Sequence, residues 1–307
     1  MRIVLISGCS SGFGMLTAVE LVNRGFLVIA TMRNLEKRYN LEKALLELSN
    51  LSNQAGTLLS FKDYINNNLL EKIPFLDTPH PNCKLFQLDV TDLNSIQNCV
   101  ENVVKHFGKI DVLINNAGSG LGGFGEDISL EQFHDQFETN FFGLVALTKF
   151  VIPRMRINQQ GHIVNISSIA GLIGVPGLSS YCASKFAVEG FSESLRYELL
   201  PFNVWVSLVE PGTYPTNIHD DTTQLVTSAY QPNSAYYEWG KTLLSKTLSE
   251  VQNTNKNPQE VAIIIGDIVE KKRPKLRYII GTEKFYVALK KIVPNFIFEK
   301  CICWMFG

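Results

Sequence analysis

Near its start the chain reads Arg2-Ile3-Val4-Leu5-Ile6-Ser7-Gly8-Cys9-Ser10-Ser11-Gly12-Phe13-Gly14, and the architecture follows from these residues. The first part is apolar and largely β-branched without alternation, the pattern of a strand covered on both faces. The second part is a turn rich in serine and glycine, and a helical pattern follows from Met15 to Arg24. Glycines at 8, 12 and 14 let the chain turn tightly and let its backbone approach a ligand. A helix opening directly behind such a turn offers free N–H groups and a positive dipole end, which suit a diphosphate. A glycine triplet alone says little; one placed between a strand and a helix has the context of a dinucleotide-binding turn. The spacing is G-x-x-x-G-x-G, not the more widespread G-x-G-x-x-G. Gly8, Ser10, Ser11, Gly12, Phe13 and Gly14 are the residues expected to form this cradle.

Beyond this junction, short apolar runs alternate with longer amphipathic segments. Strand candidates cover residues 2–7, 26–31, 84–90, 112–115, 162–168, 204–209 and 276–280. Between them Leu93, Ile96, Val100, Val103 and Phe107 step by three and four, as do Phe133, Phe137, Phe141 and Leu144. Asn140 interrupts the second stripe, and an amide on an apolar face is costly unless hydrogen-bonded. Alternating elements predict an α/β fold, a doubly wound parallel sheet flanked by helices.

Residues 1–283 read as one dinucleotide-binding and catalytic domain. Residues about 40–82 read as a helix plus a surface insertion, longer than a minimal crossover. Residues about 213–257 hold Tyr214, Tyr230, Tyr236, Tyr237 and Trp239 amid polar residues, which suits a lid over an apolar ligand. Residues 284–307 read as an apolar helical tail with Lys284, Lys290, Lys291 and Lys300 interspersed. Such a tail suits peripheral contact with a membrane surface, or packing on the domain, a partner subunit or the substrate pocket.

With 307 residues, 45% hydrophobic and 19% charged, the composition is that of an ordinary globular protein. The net charge of −1 gives no electrostatic reason to expect nucleic acid. No run approaches the roughly 18 consecutive apolar residues of a membrane span. The strand-like start leaves no room for a signal peptide. The six cysteines, at 9, 83, 99, 182, 301 and 303, show no C-x-x-C spacing, and the five histidines are isolated. Reduced thiols, a cytoplasmic location and no metal are therefore expected.

The second strand candidate runs into Thr31-Met32-Arg33-Asn34. NAD sites often carry a carboxylate here for the ribose 2′-hydroxyl. Thr31 stands in that place and Arg33 follows; a guanidinium suits a 2′-phosphate, so NADP is expected, with NAD as the alternative. Asp89 falls where an adenine amino group can be met, and Asn115-Asn116-Ala117-Gly118 forms a polar turn on the ligand side of the sheet. The run from His162 ends in Ser168, while Tyr181 and Lys185 stand four apart on a helix expected from Ser180 to Leu200. Both side chains then project from one face. An ammonium beside a phenol favours the phenolate and lowers a pKa ordinarily about 10. That makes Tyr181 a usable general acid/base, although a Tyr-x-x-x-Lys pair also occurs on ordinary helices.

Together these pieces resemble the short-chain dehydrogenase/reductase family. The matching residues are Gly8, Gly12 and Gly14 with Ser7 for the usual threonine, the Asn-Asn-Ala-Gly turn at 115–118, Asn140, Ser168, Tyr181-x-x-x-Lys185, and Pro211-Gly212 followed by Thr216. Ser167 is a rival for the serine; the family spacing to Tyr181 favours Ser168. Ile6-Ser7-Gly8-Cys9-Ser10-Ser11-Gly12, Ala30-Thr31-Met32-Arg33-Asn34, Tyr181-Cys182-Ala183-Ser184-Lys185-Phe186-Ala187 and Arg277-Tyr278-Ile279-Ile280 are similar to the branch containing 17β-hydroxysteroid dehydrogenase and photoreceptor-type retinol dehydrogenase.

The resemblance implies a Rossmann-type seven-stranded parallel sheet and hydride transfer between a nicotinamide and a carbonyl or secondary alcohol. It implies that Tyr181 moves the proton, Ser168 holds the reacting oxygen, Lys185 contacts the nicotinamide ribose, and Asn140 holds a water linking Lys185 to solvent. Further cofactor contacts fall on Val90, Asn116, Ala117, Gly118, Pro211, Gly212, Thr213 and Thr216, beside Arg33, Asp89, Tyr181 and Lys185. Leu121, Phe124, Leu172, Ile173, Val175 and Leu178 favour a lipophilic small-molecule substrate. Family members commonly pair through the helices carrying Asn140 and Tyr181, so a homo-oligomer, dimer or tetramer, is expected. Two alternatives stand beside this one: an NAD-dependent enzyme for a small or polar carbonyl, and a dinucleotide-sensing protein without turnover.

Overall fold

The computed structural model describes residues 1–52, 75–215, 223–225, 232 and 234–306. All seven strand candidates form: β1 (Ile3–Ile6), β2 (Leu27–Met32), β4 (Cys83–Gln87), β5 (Val112–Asn115), β7 (Gly161–Ile166), β8 (Val204–Pro211) and β10 (Arg277–Ile280). They lie parallel in the order β10-β8-β7-β5-β1-β2-β4. The expected sheet of seven parallel strands gains an eighth, antiparallel edge strand, β3 (Phe75–Asp77), beside β4. Only three residues long, β3 is anchored by Phe75, which stacks on Phe86 with ring centroids 5.1 Å apart. The supposed insertion therefore contributes to the sheet at its far end, after a helix, α2 (Tyr39–Ser52). Its residues 53–74 lie outside the described residues.

β1, β2, β5 and β7 are buried along their whole length because helices cover both faces of the sheet. On one face Val4, Ile6, Val28 and Ala30 pack with Ala18 and Leu21 of α1 (Gly12–Asn23) and with Ile265 and Val269 of α8 (Gln259–Glu270). On the other, Leu5, Ile29 and Leu113 meet Val100 and Val103 of α3 (Leu93–Phe107), Leu147 and Val151 of α5 (Gly143–Ile157), and Leu195 of α6 (Ser179–Leu199). Each of these valines, leucines and isoleucines stabilises the fold by about 1.5–3 kcal/mol when fully buried. The strand order reverses between β1 and β5, and in open α/β sheets that point opens the ligand crevice.

The stripe through Phe133, Phe137, Phe141 and Leu144 is not one helix. A capping box between Ser129 and Gln132 starts α4 (Leu130–Phe137), and a π turn (Glu138–Phe142) separates it from α5. Such a turn shifts the face of the helix and is a common device at functional sites. Here it leaves Asn140 buried. A second small sheet pairs β6 (Gly120–Gly122) with β9 (Thr223–Leu225). The tail forms α9 (Lys284–Ile292) and α10 (Asn295–Phe306), whose Val287 and Phe298 pack against Ile169 and Ile173. Among the described residues, no helix is long and apolar enough to cross a membrane.

Candidate active site

The turn after β1 is shaped by close backbone approach. Gly8 and Gly12 have φ of 74° and 56°, in the left-handed region that favours glycine. A Cβ on Gly14 would lie 2.2 Å from the Gly8 carbonyl oxygen, and one on Gly8 would lie 2.8 Å from the Cα of Ala117. Ser11 is the N-cap of α1, yet its side chain makes no capping bond, and the first turn holds no acidic residue. The opening N–H groups are thus left for an anion, with Ser10, Ser11, Gly12 and Phe13 half-buried at the rim. Asn116 donates its amide to the Ser7 and Gly8 carbonyls at 3.0 and 2.9 Å, and the Ser7 hydroxyl accepts the N–H groups of Asn116 and Ala117. These bonds staple the turn after β5 to the turn after β1.

Thr31 is fully buried and its hydroxyl donates to the Ile6 carbonyl at 2.8 Å, so it faces the core and not a ribose. Arg33, just past β2, is exposed. Asp89, half-buried, accepts the Thr91 N–H and hydroxyl at 3.0 and 2.7 Å through one oxygen, and Val90 is buried beside Gly143.

Ser168, Tyr181 and Lys185 come together from two elements, the turn after β7 and α6. Ser168 stands past the end of β7 as the N-cap of a 3-10 turn (Ile169–Gly171); its hydroxyl accepts the Ala170 N–H and hydrogen-bonds Tyr181. Ser167 points instead into the core with its hydroxyl unpartnered, packed beneath Gly171. Tyr181 and Lys185 share one face of α6, with the lysine Nζ 5.7 Å from the tyrosine ring centroid. That ammonium donates to the Ile166 carbonyl at 2.9 Å, not to the phenol oxygen. Burial consequently dominates both groups. Tyr181 is pushed up to about 12, the Ser168 hydrogen bond only partly opposing this, and Lys185 is pushed down to about 8. The expected lowering of the phenol by its lysine neighbour does not occur in the protein alone.

Asn140 is held in place on every side: Oδ1 accepts the Ser119 N–H at 2.8 Å, and Nδ2 donates to the Ser119 carbonyl and the Ser184 hydroxyl. A Cβ on Gly118 would lie 3.2 Å from this Oδ1 and 3.9 Å from the lysine Nζ, so Asn140 fixes the turn that flanks Lys185. On the opposite wall Gly212 donates to the Ile280 carbonyl, and Thr213 donates its N–H to Glu283 at 3.0 Å. Thr216 lies outside the described residues. An uncapped helix start behind positive-φ glycines, an exposed arginine after β2 and a half-buried Tyr181 beside a buried Lys185 fit a nicotinamide dinucleotide.

The family model described as short chain dehydrogenase matches residues 66–225, over half of the chain. The chain is a short-chain dehydrogenase/reductase. Like its family, this short-chain dehydrogenase is an oxidoreductase of CH–OH groups that uses NAD(P). It is 41% identical over 281 residues to an uncharacterized oxidoreductase, YusZ, of Bacillus subtilis, covering 91% of this chain and 89% of that one. It is 37% identical to retinol dehydrogenase 8 of Bos taurus, covering 96% and 86% respectively. A short-chain dehydrogenase from Streptomyces avermitilis superposes with a TM-score of 0.74 at 28% identity, covering 99% of this chain and 96% of that one.

Several residues of this short-chain dehydrogenase's site were not singled out from the sequence. Ser119 and Ser184 orient Asn140, and Glu283 accepts from Thr213 while pairing with Lys256. Their partners lie far off in the chain, and no local pattern marks them. Tyr214 is buried, donates to Glu260 at 3.0 Å and meets Phe13 edge-on, joining the cradle to the segment after β8. In the expected lid, Tyr236 stacks on Phe124 at 4.5 Å, Trp239 lies 5.2 Å from Phe124, and Leu243 fills the space beside Gly177. Tyr230 lies outside the described residues.

Proposed function

We propose that this enzyme interconverts a lipophilic secondary alcohol and its ketone, of steroid, retinoid or lipid type, with NADP(H). The observation that carries this is the meeting of Ser168, Tyr181 and Lys185, with Asn140 bracing the turn beside them, at the carboxyl ends of the strands. A bound nicotinamide supplies or accepts the hydride. The Ser168 hydroxyl holds the substrate oxygen beside the Tyr181 hydroxyl. In reduction Tyr181 gives its proton to that oxygen; in oxidation it takes the proton back. Lys185, buried and with its pKa pushed down to about 8, still carries its proton for the most part at pH 7, and that charge would favour the tyrosinate. Gly8, Ser10, Ser11, Gly12, Phe13 and Gly14 would hold the diphosphate, Asp89 and Val90 the adenine, and Asn116, Ala117, Gly118, Pro211, Gly212 and Thr213 the nicotinamide half. Arg33 supports NADP, because it is exposed just past the end of β2 and a guanidinium suits a 2′-phosphate.

Support for a lipophilic substrate comes from Phe124, buried against Tyr236 and Trp239, from Leu121, buried with Ile128, and from the likeness to a retinol dehydrogenase. For the tail, the observation is an outer face with Phe285, Ile292 and Phe296 exposed beside Lys284, Lys291 and Lys300. That combination suits an anionic lipid surface. Exposed Phe142 at the end of the π turn, and Phe186 and Tyr197 of α6, support pairing with a second copy through the helices that carry Asn140 and Tyr181. The deciding experiment is Tyr181→Phe assayed on a panel of steroid ketones, retinal and long-chain ketones. Turnover is expected to be abolished while NADPH binding, followed by fluorescence, stays nearly intact; full activity refutes the assignment.

A further inference from the structure

Behind the reacting groups, one guanidinium is shared by three carboxylates. Arg277 of β10 pairs with Glu189 of α6, with Glu193 one turn further along at 2.6 Å, and with Glu210 of β8 at 3.2 Å. Glu210 is wholly buried and Glu189 nearly so, and each keeps one carboxylate oxygen without a hydrogen-bond partner (Glu210 Oε2, Glu189 Oε1). Lys291 of α9 is the further cation acting on Glu210, and the Tyr278 backbone donates to it. One guanidinium cannot neutralise three carboxylates, and burial holds the Glu210 carboxyl up at about 8. Buried ion clusters of this kind are weak sources of stability, since apolar replacements of similar volume often serve as well. The cluster needs another reason.

Its placement supplies one. Glu189 lies one turn beyond Lys185, and its Cγ is 3.1 Å from where a Cβ on Gly171 would sit, beneath the turn that begins at Ser168. The same hypothetical Cβ would lie 2.9 Å from the Ser167 hydroxyl and 3.0 Å from the Lys185 carbonyl. Glu210 immediately precedes Pro211 and Gly212. Arg277 therefore ties the helix of Tyr181 and Lys185 to the strand leading into the nicotinamide-side loop, and its partner Glu189 packs beneath the turn of Ser168. We propose that Arg277 is a positioning residue for hydride transfer: by gripping Glu189, Glu193 and Glu210 it sets the catalytic helix at the right height against the loop that follows β8. This rests on the roles given above to Tyr181 and Lys185. Geometry of this kind matters because a misplacement of about 1 Å can cost about 100-fold in rate.

The test uses two variants of the full chain. Arg277→Lys keeps the charge but loses the planar fork that reaches several carboxylates at once. Arg277→Met combined with Glu189→Gln and Glu210→Gln removes the buried charges at similar volume; the remaining carboxylate, Glu193, is exposed to solvent. Both are measured for thermal midpoint, NADPH affinity, kcat and KM. Expected are midpoints within a few degrees of wild type, unchanged NADPH affinity, a kcat lowered at least tenfold in the triple variant with KM little altered, and a smaller loss in Arg277→Lys. A folded variant of either kind that turns over at the wild-type kcat overturns the proposal. If the triple variant does not fold, Arg277→Lys alone decides by the same criterion. Tyr181→Phe run beside them separates the two ideas: an active Tyr181→Phe refutes the proton-transfer reading, whereas an inactive one with fully active Arg277 variants refutes only the positioning role.

Discussion

At the scale of single residues, Lys185 shows how function and stability pull apart. Its pKa is depressed by burial to about 8, below the ordinary 10.5. A base depressed in this way adds its stability above the ordinary value and loses it as the pH falls through the folded value. The ammonium is thus held at a cost at pH 7. Lys185→Met should be inactive yet more stable than wild type by on the order of 1–3 kcal/mol at pH 7, the gain fading as the pH approaches 10.5. Urea unfolding at pH 7 and at pH 10 measures this, and equal stabilities at pH 7 contradict it. Arg33 makes the second prediction at this scale. Arg33→Ala should raise KM for NADPH about tenfold or more, as loss of a charge-assisted bond to phosphate would, while leaving KM for NADH nearly unchanged. Steady-state kinetics with both cofactors checks it. Tyr181 and Lys185 were legible because their partnership is local, one turn of helix apart. Ser119 and Ser184 were not, because a serine hydroxyl acquires its role from whichever groups the fold brings near it.

Elements carry the next level of design. The π turn between α4 and α5 converts a stripe of phenylalanines into a device that delivers one buried amide to the turn at 118–119. Period counting alone reads a continuous helix there, because one extra residue per turn alters the register only briefly. The lid works by ring stacking: Phe124 is the common partner of Tyr236 and Trp239, and the Tyr236 hydroxyl donates to Glu126 at 3.1 Å. Removing that partner should loosen the cover without touching the proton-transfer groups. Phe124→Ala is expected to raise KM for a lipophilic ketone about tenfold, with kcat changed only a few-fold, since stacked aromatic pairs contribute about 0.5–1.5 kcal/mol each beyond area burial. A kcat loss of the same size as the KM change would show that the stack positions the chemistry itself.

For the whole molecule, the sheet gathers residues from 8 to 213 at one edge, because every parallel strand ends on the same side and the order reverses between β1 and β5. The tail adds a second layer of meaning. Its inner face, through Val287 and Phe298, supports the turn that carries Ser168, and Lys290 donates to the Leu172 carbonyl at 2.8 Å. Its outer face keeps apolar side chains beside lysines. Full-length protein should float with anionic liposomes, and Phe285→Glu with Phe296→Glu should abolish flotation while leaving turnover of a water-soluble ketone intact. Flotation that survives these changes would reject the outer face as the lipid contact.

Apolar runs, glycine spacing and the Tyr–Lys interval were sufficient to define the parallel strands, their alternation with helices and the cradle, since each depends on neighbours within a few residues. Packing alone decided the antiparallel edge at Phe75, the inward turn of Thr31, the raised phenol of Tyr181 and the sharing of Arg277 by three carboxylates. Burial and charge pairing across distant segments are properties of proximity in space, and a linear order of residues does not contain them until the chain has closed.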